Sequence, residues 1–342
     1  MNETACDSAV RTPAAELQPI LNAFGMPVAV ARCVNVSENQ TFRIDSPQGK
    51  PLAVLRIYRA QHREEAEIRS ELDWMEALCV AGDVRTPSIL RTMSGDRLCP
   101  LFASGGSPRI CVVFEFLQGS EPPENERHKW FRRLGVVSAK LHGHGAAWNA
   151  PEAFRRPHLD WEALVGERAV WGPRCGAPGL DADAEREIVA AAALLRESLA
   201  EFDAQGLTRG LIHGDLRLAN LLVDGEDLAL IDFDDCAFAW HLFDVATSLS
   251  LIEDDPQAPE LLNAWVDGYT RVKSLAASDL RSIPHLIMLR RIQVLSWFAG
   301  HADTDVTRTH GPAVVAGTIA AARQYLDGRI PFAADLGLPG TH

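Results

Sequence analysis

The sequence predicts an α+β fold of two lobes, a small antiparallel sheet with one packed helix followed by a larger helical lobe. Between residues 28 and 58, apolar and polar side chains alternate in three short segments, as they do in half-buried strands. Beyond residue 119, apolar residues recur mostly at helical spacing. The chain has 342 residues, and because a single core rarely grows past about 250–300 residues, two lobes are expected.

The N-terminal lobe is predicted over residues 1–118. Its longest helix is recognised by Ile68, Leu72, Met75 and Cys79, which share one helical face. A Ser-Pro-Gln-Gly-Lys turn separates its second and third strands. The predicted elements are, in order, a helix over 15–24, strands over 28–36, 40–44 and 52–58, a helix over 62–79 and a strand over 111–117.

The C-terminal lobe is predicted over residues 119–342. A hairpin interrupts its helices, with strands over 221–223 and 228–231 joined by the turn residues Asp-Gly-Glu-Asp. The irregular segment 148–180 contains three tryptophans and is either a cover over the substrate or a surface excursion held by its aromatic rings. The predicted helices span 125–145, 181–204, 240–253, 257–273, 277–300 and 312–327.

Composition excludes several classes of protein. A net charge of -13 argues against a nucleic-acid partner, which would call for a basic surface. Seven scattered cysteines without a C-x-x-C pair favour reduced thiols in a cytoplasmic protein over a zinc site. The N-terminus has no secretory signal pattern, and no segment approaches the ~18 apolar residues of a membrane span. The sequence therefore predicts a cytoplasmic protein without a membrane partner, and it leaves the oligomeric state open.

The residues whose chemistry is most clearly indicated lie directly before and after the hairpin. His213-Gly-Asp215-Leu-Arg-Leu-Ala-Asn220 precedes it, and Asp232 follows its second strand. Phosphoryl transfer from ATP needs a carboxylate that orients the attacking hydroxyl, and a second carboxylate and an amide oxygen as metal ligands. We therefore expect Asp215 to be the catalytic base, and Asn220 and Asp232 to hold the metal. His213 is interpreted as a buttress of the loop that carries Asp215.

These motifs, together with Leu230-Ile-Asp-Phe-Asp-Asp-Cys236 and Leu242-Phe-Asp-Val-Ala246, resemble the aminoglycoside phosphotransferase and choline kinase superfamily over about residues 20–330. The resemblance implies a protein-kinase-like fold, ATP and Mg²⁺ as cofactors, and a small-molecule hydroxyl as the phosphate acceptor. It also implies that Asp244 is a buried residue that braces the catalytic loop. Several segments look closest to a bacterial branch of homoserine-kinase-like proteins and a stress-response Ser/Thr kinase.

The N-terminal lobe should then bind the nucleotide. The segment 35–42 lacks a G-x-G-x-x-G loop, so Ser37 and Asn39 are candidate phosphate contacts, unless they form an ordinary hairpin turn. Arg56 stands where the family has a strand lysine, and a guanidinium can grip phosphate with two N–H groups. Glu71, rather than Glu67, is the expected partner of Arg56.

Residues 114–117 resemble the hinge that binds adenine through backbone groups, at Glu115 and Leu117.

The acceptor is less well defined by the sequence. A group of acidic residues favours a cationic acceptor such as an amino alcohol or an aminoglycoside. Arg290 and Arg291 either bind an acceptor carboxylate, as in a kinase of hydroxy amino acids, or form surface ion pairs. A protein Ser/Thr kinase of the stress-response type and a nucleotide-binding pseudokinase are the alternatives. The acidic residues are Asp234, Asp235, Glu253, Asp254 and Asp255.

Overall fold

The computed structural model describes residues 12–36, 39–60, 63–102 and 108–336. Its elements are α1 (Ala14–Ala23), β1 (Val30–Val36), β2 (Gln40–Asp45), β3 (Pro51–Ile57), α2 (Glu65–Ala81), β4 (Leu98–Leu101), β5 (Arg109–Glu115), α3 (Arg127–Ala147), α4 (Trp161–Leu164), α5 (Ala182–Ala204), β6 (Arg209–Ile212), β7 (Leu221–Asp224), β8 (Asp227–Leu230), β9 (Ala237–Trp240), α6 (Phe243–Ser248), α7 (Ala258–Thr270), α8 (Ala277–Gly300) and α9 (Asp305–Leu326). Strands and helices are both abundant, which confirms the predicted α+β class. Among the helices that the structure describes, none combines the length and the apolar character needed to cross a membrane.

The chain forms two compact units. The first contains the described residues up to Ser120, together with Asn149–Arg155 and Leu222–Asp234. The second contains Glu121–Trp148, Arg156–Leu221 and the described residues from Asp235 onward. The assignment of nucleotide binding to a lobe over residues 1–118 and of catalysis and substrate binding to a lobe over residues 119–342 stays a prediction.

The first unit is built on an antiparallel sheet in the order β1-β2-β3-β5-β4. One face of this sheet packs on α1, where Leu17 and Ile20 join Leu55 and Ile57 of β3 in an apolar core. Because successive side chains of a strand point to opposite faces, Arg56 points away from this core. The edge strand β4 was not predicted, since its four residues are too few to show a period.

The β7–β8 hairpin belongs mostly to the first unit and confirms the predicted turn at Gly225, which has a φ of 59°. Its first strand is tied to Ser120, whose backbone N–H donates to the carbonyl of Val223 at 3.1 Å and whose carbonyl accepts from Val223 N–H at 2.8 Å. The second strand leads directly into Asp232.

The second unit is mainly helical. Helices α3 and α7 pack closely, and a Cβ at Gly135 would lie 2.0 Å from the carbonyl oxygen of Trp265, so only glycine fits there. Helix α8 packs against α5, α6 and α9 and is buried along most of its length.

The predicted helix over 240–253 contains α6 but is too long at both ends. Strand β9 extends to Trp240 and pairs with β6, and α6 ends at Ser248. Leu251 then has a φ of 71°, in the left-handed region that no helix contains. The apolar period in this stretch reflects burial of a loop, because Leu249 is fully buried and Ser250 is 7% exposed.

Candidate active site

In the second unit, the loop after β6 presents Asp215. Gly214 has a φ of 83°, and a Cβ on it would lie 2.3 Å from the carbonyl oxygen of Asp235, so the turn requires glycine. His213 is fully buried, and its Nδ1 accepts a hydrogen bond from the Asp215 N–H at 3.3 Å. This contact agrees with the interpretation of His213 as a buttress, and the functional role of His213 stays a prediction.

Asp244 on α6 braces this loop, as the resemblance implied. Its carboxylate is fully buried and accepts hydrogen bonds from the backbone N–H groups of His213 at 3.1 Å and Gly214 at 2.9 Å. The Nε2 atom of His142 lies 3.0 Å from the same carboxylate, and the Nδ1 atom of His142 lies 3.0 Å from the hydroxyl of Tyr269. Asp244 therefore links α3, α6 and the loop.

Two hydroxyl groups of α6 hold the next residue of the loop, Leu216. Its N–H donates to Oγ1 of Thr247 at 2.9 Å, and its carbonyl accepts from Oγ of Ser248 at 2.7 Å. Because the backbone is held on both sides of Asp215, the direction of its Cα–Cβ bond is fixed as well.

The Asp215 carboxylate is surrounded by donors. Arg217 Nε lies 3.1 Å from both of its oxygens, Arg290 Nη2 donates to Oδ1 at 3.1 Å, and Asn220 Nδ2 donates to Oδ2 at 3.0 Å. Burial raises the pKa of the Asp215 carboxyl, but the charges of Arg217 and Arg290 lower it by more, so the pKa lies below its ordinary value. Asp215 is therefore ionised at neutral pH and can accept a hydrogen bond from a hydroxyl.

Arg290 is held from several sides. Its Nε donates to Oγ of Ser250 and its Nη1 donates to Oε1 of Gln293, both at 2.9 Å, while its guanidinium lies 5.0 Å from the ring centroid of Trp171. Its side chain is 6% exposed and that of Arg291 is 3% exposed, so the surface alternative for these two arginines is wrong. The contact with Trp171 brings the irregular segment 148–180 to the neighbourhood of Asp215.

In the first unit, Arg56 on β3 forms two ion pairs. Its Nη1 donates to Glu71 on α2 at 3.1 Å, as expected, and its Nη2 donates to Asp232 at 2.6 Å. Tyr58, which directly follows β3, donates its hydroxyl to Glu71 at 2.8 Å. Burial lowers the pKa of the Arg56 guanidinium, but neighbouring negative charges, Asp232 first, raise it by more, so Arg56 is a permanent cation.

Asp232 has a φ of 69°, a conformation that is uncommon for a non-glycine residue, and its side chain is 41% exposed. Asp234, two residues on, accepts from Nδ2 of Asn39 at 2.6 Å, and Oδ1 of Asn39 accepts from the N–H of Arg59 at 3.2 Å. Asn39 thus ties the β2 strand to the end of the hairpin, and its contact with phosphate stays a prediction. Ser37, the other candidate, lies outside the described residues.

The hinge candidates lie at the end of β5. Glu115 is the last residue of that strand, which ends two residues earlier than predicted, and its N–H donates to the carbonyl of Ser88 at 2.8 Å. Leu117 is 7% exposed and lies two residues beyond the strand, outside regular secondary structure. Adenine binding by these two backbone positions stays a prediction.

The residue types at the expected metal positions fit Mg²⁺. Asn220 donates its Nδ2 to the backbone carbonyl of Asp215 at 2.7 Å, which leaves its Oδ1 as the donor atom for a cation. Asp232 contributes a partly exposed carboxylate in the first unit. In the described part of the chain, no three His, Cys, Asp or Glu side chains cluster as a metal cage. Mg²⁺ rarely uses such a cage, since it is usually held by one or two side-chain oxygens, substrate phosphates and water.

Some contacts were missed by sequence reasoning. The predicted strand over 52–58 has a period of two that puts Tyr58 on the same face as Arg56, so this period was the available signal for the contact of Tyr58 with Glu71. His142 and Trp171 lie in segments without a motif, and they contact their partners only after folding brings distant residues together.

The buried loop, its ionised aspartate and the kinase-like arrangement of motifs define a phosphotransferase. Residues 31–275 match the phosphotransferase enzyme family, and the chain belongs to this family. The predicted enzyme class, the α+β protein-kinase-like fold and the resemblance to the aminoglycoside phosphotransferase and choline kinase superfamily are confirmed.

Three similar proteins illustrate the relationship. A solved microcompartment-associated aminopropanol kinase is 33% identical with a TM-score of 0.83, and the match covers 96% of this chain and 100% of that one. A homoserine kinase from Beijerinckia indica subsp. indica is 28% identical over 73% of each chain. A solved amicoumacin kinase in complex with AMP-PNP and Ca²⁺ is 18% identical with a TM-score of 0.70, covers 88% of this chain and 89% of that one, and supports the fold alone.

Proposed function

We propose that this protein transfers the γ-phosphate of ATP to the hydroxyl of a small molecule of the amino alcohol, hydroxy amino acid or aminoglycoside class. The observation that carries the proposal is the ionised Asp215 on a loop that Asp244 braces. Similarity over the whole chain to an aminopropanol kinase supports an amino alcohol first.

Asp215 would orient the acceptor. Its two oxygens offer about four lone-pair positions and receive four contacts, from Arg290, from Asn220 and twice from Arg217, whose single Nε–H is shared between both oxygens. A substrate hydroxyl would donate to Asp215 in place of one half of this shared contact, since the side chain is 15% exposed. The hydroxyl oxygen forms a bond to the γ-phosphorus while the bond to the leaving ADP oxygen breaks, and the hydroxyl proton passes to Asp215.

The first unit would hold the nucleotide. Arg56 would contact the α- and β-phosphates with its cation kept in place by Glu71, Asn39 and Ser37 would contact phosphate, and the backbone of Glu115 and Leu117 would contact adenine. Asn220 and Asp232 would hold Mg²⁺, which when bound neutralises charge on the phosphate oxygens.

A turnover assay tests this proposal. ATP consumption with Mg²⁺ is measured with 1-amino-2-propanol, choline, homoserine, an aminoglycoside and a generic protein substrate. Asp215→Asn should lower kcat by about 10²–10⁴-fold, the usual range for a lost catalytic base, with little change in nucleotide binding. Asp224→Asn, which changes an exposed carboxylate at the end of β7, is the control and should retain activity.

Other outcomes would change the proposal. Transfer to protein alone, abolished in Asp215→Asn, would identify a protein Ser/Thr kinase. Nucleotide binding without turnover of any of these acceptors would leave either an acceptor outside this set or a pseudokinase. A fully active Asp215→Asn variant would contradict the role of Asp215 itself. A cytoplasmic location remains part of the proposal, and the scattered free thiols support it.

A further inference from the structure

Residues 156–180, which belong to the second unit, are attached to strand β9 at their beginning. The N–H of Leu159 donates to the carbonyl of Phe238, and the N–H of Phe238 donates to the carbonyl of Pro157, both at 2.8 Å. Strand β9 pairs with β6, the strand that leads into the loop of Asp215. The beginning of this segment is therefore fixed relative to that loop.

The chain is also anchored on both sides of Trp171. Before it, the N–H of Val170 donates to the carbonyl of Ala163 in α4 at 2.8 Å. After it, Nε of Arg174 lies 2.9 Å from a carboxylate oxygen of Glu185 on α5, and these two side chains are 17% and 28% exposed. Trp171 is half-buried and lies outside helices and strands, yet these attachments give it a defined place in the fold.

The guanidinium of Arg290 lies over the ring of Trp171, 5.0 Å from the ring centroid. The N–H groups of a guanidinium lie in its plane, so its hydrogen bonds hold it at the edges. These edges are occupied by Ser250, Gln293 and Asp215. Trp171 adds a contact of another kind, between the cation and the electron-rich face of the indole, which is strongest where water is excluded.

The charges around Arg290 show why such a contact is needed. Its Nη2 donates to Asp215 at 3.1 Å, and its side chain is 6% exposed. Besides Asp215, the carboxylates of Asp235 and Glu253 attract this guanidinium, and the cation of Arg217 repels it. Charge alone therefore does not decide which carboxylate Arg290 pairs with. A rigid ring packed on the guanidinium restricts it to one arrangement.

We propose that Trp171 is a positioning residue for the phosphotransfer, which holds the Arg290 guanidinium against Asp215 and so fixes the orientation of the candidate base. This inference rests on the proposed phosphotransfer. The effect of Trp171 passes through Arg290, so its ring needs no contact with the acceptor. The segment 156–180 thereby becomes part of the structure that orients the carboxylate of Asp215.

Steady-state turnover of the full chain tests the inference, with 1-amino-2-propanol or the most active acceptor of the turnover assay. Trp171→Leu should lower kcat by about 10-fold or more and leave the KM for ATP unchanged, since a misplacement of about 1 Å can cost about 100-fold. Trp171→Phe keeps an aromatic face and should retain most of the kcat. Trp161→Leu is the matched control and should change neither constant, because Trp161 contacts Arg196, which is 61% exposed.

A double-mutant cycle with Arg290→Gln separates positioning from a structural role. If Trp171 acts through Arg290, then Trp171→Leu should have little further effect on kcat in the Arg290→Gln background. A residue that only stabilises the fold would lower the thermal midpoint, and its effect on kcat would multiply with that of Arg290→Gln. Independent effects of the two substitutions, or an unchanged kcat in Trp171→Leu, would overturn the inference.

The contact itself is observable by NMR without turnover. In the full chain with isotope-labelled arginine, the Nε–H of Arg290, which donates to Ser250, is assigned by the loss of its signal in Arg290→Gln. Trp171→Leu should shift this signal, because the ring current is removed, and should speed its exchange with water. Trp161→Leu should leave the signal in place. A signal that is the same in Trp171→Leu as in the wild type would contradict the inference.

The two proposals fail in different ways. An active wild type in which Trp171→Leu leaves the Arg290 signal unchanged, or acts independently of Arg290→Gln, removes the positioning role and leaves the phosphotransfer proposal intact. A wild type that phosphorylates none of the acceptors, with an Arg290 signal still sensitive to Trp171→Leu, removes phosphotransfer to this class of acceptor. The positioning role then falls with it, although the contact between the two side chains is present.

Discussion

Replacing Arg56 by methionine should destabilise the first unit strongly. The substitution keeps an unbranched apolar stem and removes the guanidinium, whose side chain is 12% exposed. It removes the guanidinium that lies 3.1 Å from Glu71, a carboxylate that is 1% exposed and that keeps its hydrogen bond from the Tyr58 hydroxyl. Removing one partner of a buried ion pair costs about 3–5 kcal/mol. The lost pair with Asp232 adds only about 0–1 kcal/mol, because that carboxylate is 41% exposed and solvent screens it.

Amide hydrogen exchange in peptides from α2 and β3 measures this change, because it reports the opening free energy of the elements that carry the pair. Arg69→Met is the matched control. Arg69 lies on α2, the helix that carries Glu71, and its side chain is 37% exposed. It pairs with the exposed Glu65 and Asp96, so its loss should cost less than about 1 kcal/mol.

The double variant Arg56→Met with Glu71→Gln should recover most of the lost stability, because a neutral pair has no buried charge to compensate. The reasoning would be refuted if Arg56→Met cost no more than Arg69→Met. It would also fail if Glu71→Gln brought no recovery in the Arg56→Met background.

Other predictions concern the second unit. Asp244→Asn should leave a buried backbone N–H unsatisfied, at a cost of about 1–3 kcal/mol in urea unfolding, and should lower kcat more than it raises KM. Gly214→Ala should abolish turnover and lower the thermal midpoint, since its Cβ would lie 2.3 Å from a carbonyl oxygen. Burial lowers the pKa of His285 to about 4, so the unfolded chain, with a histidine pKa of about 6.5, binds the proton more readily. Unfolding free energy should therefore fall by roughly 3 kcal/mol from this group as pH drops from 6.5 to 4, and His285→Gln should flatten that slope.

The β7–β8 hairpin and the motifs beside it could be predicted because their sequence signals are local. The spacing from His213 to Asn220, the turn at Gly225 and the aspartate after an apolar strand all lie within one short segment. The long helices could also be predicted, since their apolar period persists over several turns. Arg56 and Glu71 were paired correctly because strand and helix follow one another in the chain.

The remaining features depend on contacts between distant residues. Strands β4, β6 and β9 have four residues each, too few for a period, and β6 finds its partner β9 only in the folded chain. In the sequence, Arg290 cannot be distinguished from an ordinary surface arginine of a helix. Only the burial of α8 in the folded chain brings its guanidinium to 3.1 Å from Asp215. The stretch over 240–253 misled the helix prediction because a buried loop has the same apolar residues as a buried helix.

The surroundings of Asp215 also indicate what kind of catalysis this site favours. Two arginines keep the pKa of its carboxyl low, which makes it a weak base. A weak base suits phosphoryl transfer through a loose transition state, because the O–H bond of the acceptor stays largely intact until the bond to phosphorus has formed. The orientation of the Asp215 carboxylate then matters more than its basicity. The buried side chains of Asp244, Thr247 and Ser248 form hydrogen bonds with the backbone on both sides of Asp215, and this backbone orients the carboxylate. In the proposed mechanism, the arginines and α6 would together provide a fixed and ionised hydrogen-bond acceptor for the substrate hydroxyl.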